Sequence, residues 1–256
     1  MINFSTQYKS NISFKQLPFM TYCGKKIAKE YTVPIKINDG NDVFVKIEPD
    51  YVHNNFETKI QDINEENIAT NYFVFHDDEK TIQTHEMNVW YRCNRGKNLG
   101  VIMHLNSIIE LLENNYDKIE LYSLAPAIFF HGKCKFEPVL TEINEARMAL
   151  YTIMNKDYKK LPEIESIVKK ALTIFPELHD SQLYKNKNCE LVSCANEIVQ
   201  EYIDVMSNKK LSEEEREEFG LDVGFNMVLT KEKILENKDL FNKMFKKFDI
   251  DYSIDK

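Results

Sequence analysis

Arg95-Gly-Lys-Asn-Leu-Gly100 opens the stretch that decides the fold, and Ala127-Ile-Phe-Phe-His-Gly-Lys-Cys-Lys-Phe136 closes it. Between them, Val101, Ile102, Leu105, Ile108, Ile109 and Leu112 recur at intervals of three and four, which predicts a helix over Gly100–Asn114. Lys118–Tyr122 reads as a short strand, buried from Ile119 onward. Ala125–Lys133 reads as a second helix with Pro126 in its first turn, where a missing N–H costs nothing. Lys135–Leu140 reads as a strand. Pro138 inside it removes a ladder donor, so this strand belongs at a sheet edge or a bulge.

Working outward toward the N-terminus, Tyr31–Ile37 and Asp42–Ile47 flank Asn38-Asp-Gly-Asn41, a hairpin signal because Asp-Gly favours positive φ. Phe56–Ile63 is a further strand. Asn71–His76 and Thr81–Arg92 form a second hairpin about Asp77-Asp-Glu-Lys80, and Thr81–Arg92 is long enough to splay or bulge near its end. A short helix is expected about Gly24–Glu30. Toward the C-terminus, Glu142–Asn155, Pro162–Phe175 and Cys194–Ser207 read as amphipathic helices. Ser212-Glu-Glu-Glu215 is a capping box for a short helix that Gly220 stops. Phe225, Met227 and Leu229 alternate in a strand over 224–230, and Thr230 caps a final helix or helix pair over Lys231–Phe248.

The order basic loop, helix, strand, helix, strand resembles the acyl-CoA-binding half of the GNAT superfamily of N-acyltransferases. That resemblance implies an α+β fold with a mixed, mostly antiparallel sheet of about six or seven strands flanked by helices. It also implies that the strand at 224–230 is the last sheet strand, displaced by a helical insertion. The implied division is a sheet domain of 1–140 plus 222–231, an insertion of 141–221 and a C-terminal helical tail of 232–256. The alternative division ends a mixed sheet domain at 140 and places a separate helical domain after it.

The family's loop, Gln/Arg-x-x-Gly-x-Gly/Ala, falls on Arg95, Asn98 and Gly100. A helix start offers unpaired N–H groups and a positive dipole end to the pyrophosphate of acetyl-CoA. The resemblance therefore assigns that co-substrate to Arg95, Lys97, Asn98, Leu99, Gly100 and Val101, with Arg92 adding charge. Asn98 stands where the family has glycine; asparagine tolerates left-handed backbone better than other side chains do. Aligning the family's Ala-x-x-Phe-Tyr-x-x-x-Gly-Phe phrase on Ala127 and Phe136 puts His131 at the tyrosine, the proton donor to the leaving thiolate, and Lys135 at the glycine. Leu124 replaces the usual asparagine. The base on the preceding strand would be Glu86 or His85, of which strand alternation allows only one into the cleft. Trp90 and Tyr91 fall where strand amides would pair with the pantetheine, although core aromatics are the simpler reading.

The function implied is transfer of an acetyl group from acetyl-CoA to a primary amine of a small molecule or protein. The alternative is a catalytically inactive structural or interaction protein of the same fold, such as a subunit of a phage virion's neck or tail, in a homo-oligomer or larger assembly. A net charge of −8 makes nucleic acid an unsuitable partner. No apolar run approaches a membrane span and no basic-then-apolar segment opens the chain, which predicts neither membrane insertion nor a secretory leader. Five scattered cysteines without a CxxC pair point to free thiols and a cytoplasmic setting, or a virion under the alternative. No metal is expected: His179-Asp180 and Cys189/Cys194 lack a second ligand pair. Cys134, one helical turn from His131, lacks the surroundings of a nucleophile.

Overall fold

The computed structural model describes strands at 20–22, 25–27, 33–36 and 42–50, and then residues 55–62, 64, 66–90, 97–180 and 185–255. β1 (Met20–Tyr22) and β2 (Lys25–Ile27) make a two-stranded ribbon, so Lys25–Ile27 is extended where a helix is expected; the rest of that expected helix lies outside the described residues. β3 (Val33–Lys36), β4 (Asp42–Asp50), β5 (Asn55–Gln61), β6 (Asn67–His76) and β7 (Thr81–Val89) follow as an antiparallel meander. The Asn38–Asn41 turn between β3 and β4 lies outside the described residues.

The chain then crosses through α1 (Leu99–Asn114) to β8 (Lys118–Ser123), which pairs parallel to β7. A 3-10 turn at Ala125–Ala127 leads into α2 (Ile128–Lys133) and β9 (Glu137–Val139). α3 (Ile143–Met154), α4 (Glu165–Asp180), α5 (Lys185–Ser207) and α6 (Glu213–Phe219) come next. β10 (Phe225–Thr230) returns to the sheet between β8 and β9, antiparallel to both, and α7 (Lys231–Glu236) and α8 (Lys238–Lys247) end the fold.

The result is an α+β protein whose main sheet runs β3-β4-β5-β6-β7-β8-β10-β9, eight strands among the described residues. The joining of β10 to both β8 and β9 is what the alternation of Phe225, Met227 and Leu229 encodes, since all three are buried. Pro138 sits in β9, the outermost strand on its side, as its missing N–H requires. Thr230 caps α7 by accepting from the Lys233 N–H, and Ser212 and Glu215 form the reciprocal capping box of α6.

α1 departs from its expected single apolar stripe. His104, Asn106, Ser107 and Glu110 are as fully buried as Ile102, Leu105 and Ile108. A helix buried all round needs partners for its polar groups. Asn71 Nδ2 donates to Ser107 Oγ at 3.4 Å and Asn106 Nδ2 to Thr58 Oγ1 at 3.3 Å, which tie the helix to β6 and β5. Phe56, Phe73 and Phe75 pack ring on ring beneath it. α5 begins at Lys185, well before Cys194, because its polar start carries no apolar period. From Leu191 it buries Ala195, Ile198, Val199, Tyr202, Ile203 and Met206. The Asn196 side chain accepts from the Leu140 N–H at 2.8 Å and donates to the Leu140 carbonyl at 3.0 Å, fastening α5 to the chain leaving β9.

Candidate functional site

β7 and β8 start as a regular parallel pair, Thr81 opposite Lys118 and Ile82 opposite Ile119, and the pairing ends at Thr84 opposite Leu121. β7 nevertheless continues to Val89 and β8 to Ser123. The two strands therefore part in a V beyond Thr84. On the other side of β7 the register against β6 steps from Phe73↔Thr84 to Tyr72↔Glu86, which leaves His85 unpaired in a β-bulge. The bulge switches the parity of the strand. Before it Ile82 and Thr84 are buried; after it Met87 and Val89 pack against the core. His85 and Glu86 consequently both project from the opposite face, and both are exposed. The bulge cancels the strand alternation from which the sequence allows only one of them into the cleft. The Glu86 carboxylate accepts from Asn88 Nδ2 at 2.5 Å.

The helix that connects the parting strands is α1. Its first internal bond runs from the Ile102 N–H to the Asn98 carbonyl at 3.2 Å, so the N–H groups of Leu99, Gly100 and Val101 have no partner within the helix. No acidic side chain lies in the first turn. Asn98 holds left-handed backbone at φ 65, and its side chain makes no capping bond, so it does not occupy those donors. Leu99 and Gly100 are buried and Val101 half-buried, which leaves main-chain groups, not side chains, for any ligand here. Gly100 has a packing reason of its own: a Cβ there would stand 2.7 Å from Phe130 Cζ, so α2 closes onto the start of α1 only over a glycine. Lys135, which like Asn98 stands where the resemblance has glycine, is also left-handed, at φ 70.

α2 carries His131 inward. Its Nδ1 lies 2.9 Å from Nε2 of His104, one turn into α1. Phe130 stacks on the His104 ring at 5.3 Å and Phe136 lies against it at 4.7 Å. Burial among these rings lowers His131 to about 4 and takes His104 well below the usual histidine value, with the neighbouring imidazole adding to the effect on His104. Both rings are thus neutral at neutral pH. The resemblance gives His131 the place of a proton donor, and a neutral ring in this surrounding presents its N–H as a hydrogen-bond donor.

Phe130 links the opening of α1 to the histidine pair, its ring lying over Gly100 and stacked on His104. Arg95, Arg92 and Tyr91 lie outside the described residues. The Trp90 N–H donates to the Ile68 carbonyl at 2.8 Å and so extends the β6–β7 ladder. Cys134 is buried and its thiol is pushed up to about 12, which removes it as a nucleophile. His104 escaped the sequence reading because a polar residue between apolar helix positions reads as solvent-facing. Among the described residues, no group of three or more metal-ligating side chains occurs, and no helix is long and apolar enough to cross a membrane.

No protein-family model matches this chain, and no curated protein matches it. Solved structures similar to parts of it are acetyltransferases. A GNAT-family acetyltransferase from Staphylococcus aureus is 16% identical with a TM-score of 0.32, the match covering 35% of this chain and 57% of that one. Spermidine N-acetyltransferase from Vibrio cholerae, in complex with CoA and spermine, is 12% identical with a TM-score of 0.31, covering 35% and 55%. Nourseothricin acetyltransferase is 13% identical with a TM-score of 0.32, covering 41% and 69%. The chain spans little more than half the length of the first of these.

Proposed function

We propose that this protein is an acyl-CoA-dependent N-acyltransferase that moves an acetyl group from acetyl-CoA to a primary amine. The observation that carries the reading is the parting of β7 from β8 after Thr84 and Leu121, with the unpaired first turn of α1 between the two strands. Strand edges freed by such a parting offer backbone groups to an extended pantetheine arm. The first turn of α1, with its unpaired N–H groups and positive dipole end, suits the pyrophosphate. Lys97 and Arg95 would supply charge to the same phosphates.

The chemistry then runs by direct attack. The amine nitrogen adds to the thioester carbonyl, the C–N bond forms, the C–S bond breaks, and the amine proton passes to a base. Glu86 is assigned that role, with His85 beside it on the same face. Coenzyme A leaves as a thiolate. The His131 N–H stabilises the sulfur by hydrogen bonding, and the proton that completes the thiol comes from solvent.

The reading is tested by incubating the protein with acetyl-CoA and a panel of primary amines while free thiol is followed. Thiol release that depends on both the protein and an amine supports it. Acetyl-CoA binding without release under any amine would favour a non-catalytic interaction protein of this fold. Absence of binding would remove the acyltransferase reading altogether.

A further inference from the structure

We infer that His104 is a positioning residue that locks His131 in the tautomer carrying its hydrogen on Nε2. The hydrogen bond between His104 Nε2 and His131 Nδ1, 2.9 Å long, contains one hydrogen, and two arrangements are open to it. Either His104 Nε2 donates and His131 Nδ1 accepts, or the reverse. The second arrangement puts the remaining hydrogen of His104 on Nδ1. That atom is buried and has no hydrogen-bond partner, and the Phe130 and Phe136 rings packed against the imidazole offer no acceptor. A buried N–H without an acceptor is the costlier outcome, because the donor loses its water and gains nothing. In the first arrangement Nδ1 is only a bare lone pair, and no N–H is stranded. His104 is therefore the donor, His131 Nδ1 the acceptor, and His131 Nε2 carries the other ring hydrogen.

The consequence is a histidine that neither titrates near neutrality nor flips between tautomers. Burial of both rings fixes them as neutral, and His104, held on α1 with the Phe130 and Phe136 rings packed against it, sets which nitrogen of His131 can donate. The tautomer stands on the pair's own geometry. Its use, an N–H presented to the departing sulfur, rests on the acyltransferase reading above.

Long-range nitrogen–proton correlation spectra of the 15N-labelled full chain at pH 7, without ligand, read the tautomers directly. His104→Gln, His104→Leu and His131→Phe assign the signals. Both rings of the wild-type protein are expected to be neutral with Nε2 protonated and Nδ1 of the unprotonated type. His104→Gln, whose amide can still donate to Nδ1, is expected to keep His131 in that form, whereas His104→Leu yields a mixture of tautomers. His131 with its hydrogen on Nδ1, or either ring charged at pH 7, overturns the inference, and through-bond correlation of each wild-type ring to its own backbone amide assigns the two histidines if a variant fails to fold. Should the protein transfer acetyl groups, His104→Leu is expected to lower kcat by about tenfold with KM for acetyl-CoA unchanged, and His104→Gln to restore it. The expected tautomer in a protein that transfers nothing would sink the acyltransferase reading and leave this inference intact.

Discussion

Asn98 and Lys135 both hold left-handed backbone, at φ 65 and φ 70, and both stand where the acyltransferase resemblance has glycine and this chain does not. Both positions hold backbone that glycine adopts more readily than a residue with a side chain. A non-glycine residue in this region carries strain of about 1–2 kcal/mol, less for asparagine. Glycine relieves it and returns roughly 0.5–1 kcal/mol through its looser unfolded chain. Lys135→Gly is expected to stabilise the protein by up to about 1 kcal/mol, and Asn98→Gly by less, as the shift of a urea midpoint. Asn98→Gly is further expected to tighten acetyl-CoA binding by removing a side chain beside the phosphate donors. A lower urea midpoint for Lys135→Gly would contradict the strain argument.

Acid should loosen the protein through the histidine pair. His131 is lowered to about 4 in the folded state, against 6.5 for an ordinary histidine, and His104 is lowered as well. Between those values the unfolded chain binds protons that the folded one refuses, so stability falls as pH drops through this window. Above 6.5 the contribution is complete. From His131 alone the loss by pH 4 is of the order of 3 kcal/mol. Urea melts at several pH values check this, and His131→Phe is expected to flatten the slope. A wild-type stability that is level from pH 7 to 4 contradicts the account.

The contact between α2 and α5 has no spare room. A Cβ on Gly132 would stand 2.2 Å from Ile203 Cγ2 and 2.6 Å from Ser207 Oγ. Gly132→Ala is expected to destabilise by about 1–3 kcal/mol despite the alanine's better helix propensity, because a packed interface must open. Gly132→Ala with Ile203→Val should recover part of it, measurable as a double-mutant cycle.

His85 and Glu86 project together because of the bulge, and their roles separate by substitution. Glu86→Gln is expected to slow acetyl transfer by about 10²-fold or more, as loss of a general base does. His85→Ala should change the rate by less than about tenfold. An unchanged rate in Glu86→Gln would move the base elsewhere.

The sequence shows where the secondary structure lies more readily than what is buried. Alternation at Phe225, Met227 and Leu229 is enough to put β10 in the sheet, and Pro138 is enough to put β9 at its rim. Periodicity also finds α1 from Val101 to Leu112. It cannot show that His104 and Glu110 are buried too, because a helix enclosed on every side has no polar face to reveal it. The site is legible in part. The basic loop and the phrase ending at Phe136 mark both ends of it, and the left-handed backbone at Asn98 and Lys135 follows the alignment. The bulge in β7 is legible in part: the length of Thr81–Arg92 calls for a splay or bulge, but nothing in the residues places it at His85. The His104–His131 bond is not legible, since its partners are 27 residues apart and meet only when Phe130 closes over Gly100.

The most direct test of the central claim is a thermal-shift titration of the full chain with acetyl-CoA, because a ligand bound only by the folded state must raise the melting temperature. A rise that saturates with a dissociation constant in the tens of micromolar is predicted, equivalent to about 2.7 kcal/mol once ligand reaches a hundredfold excess over that constant. No rise at millimolar acetyl-CoA would contradict the claim that the parted strands and the opening of α1 form an acyl-CoA site.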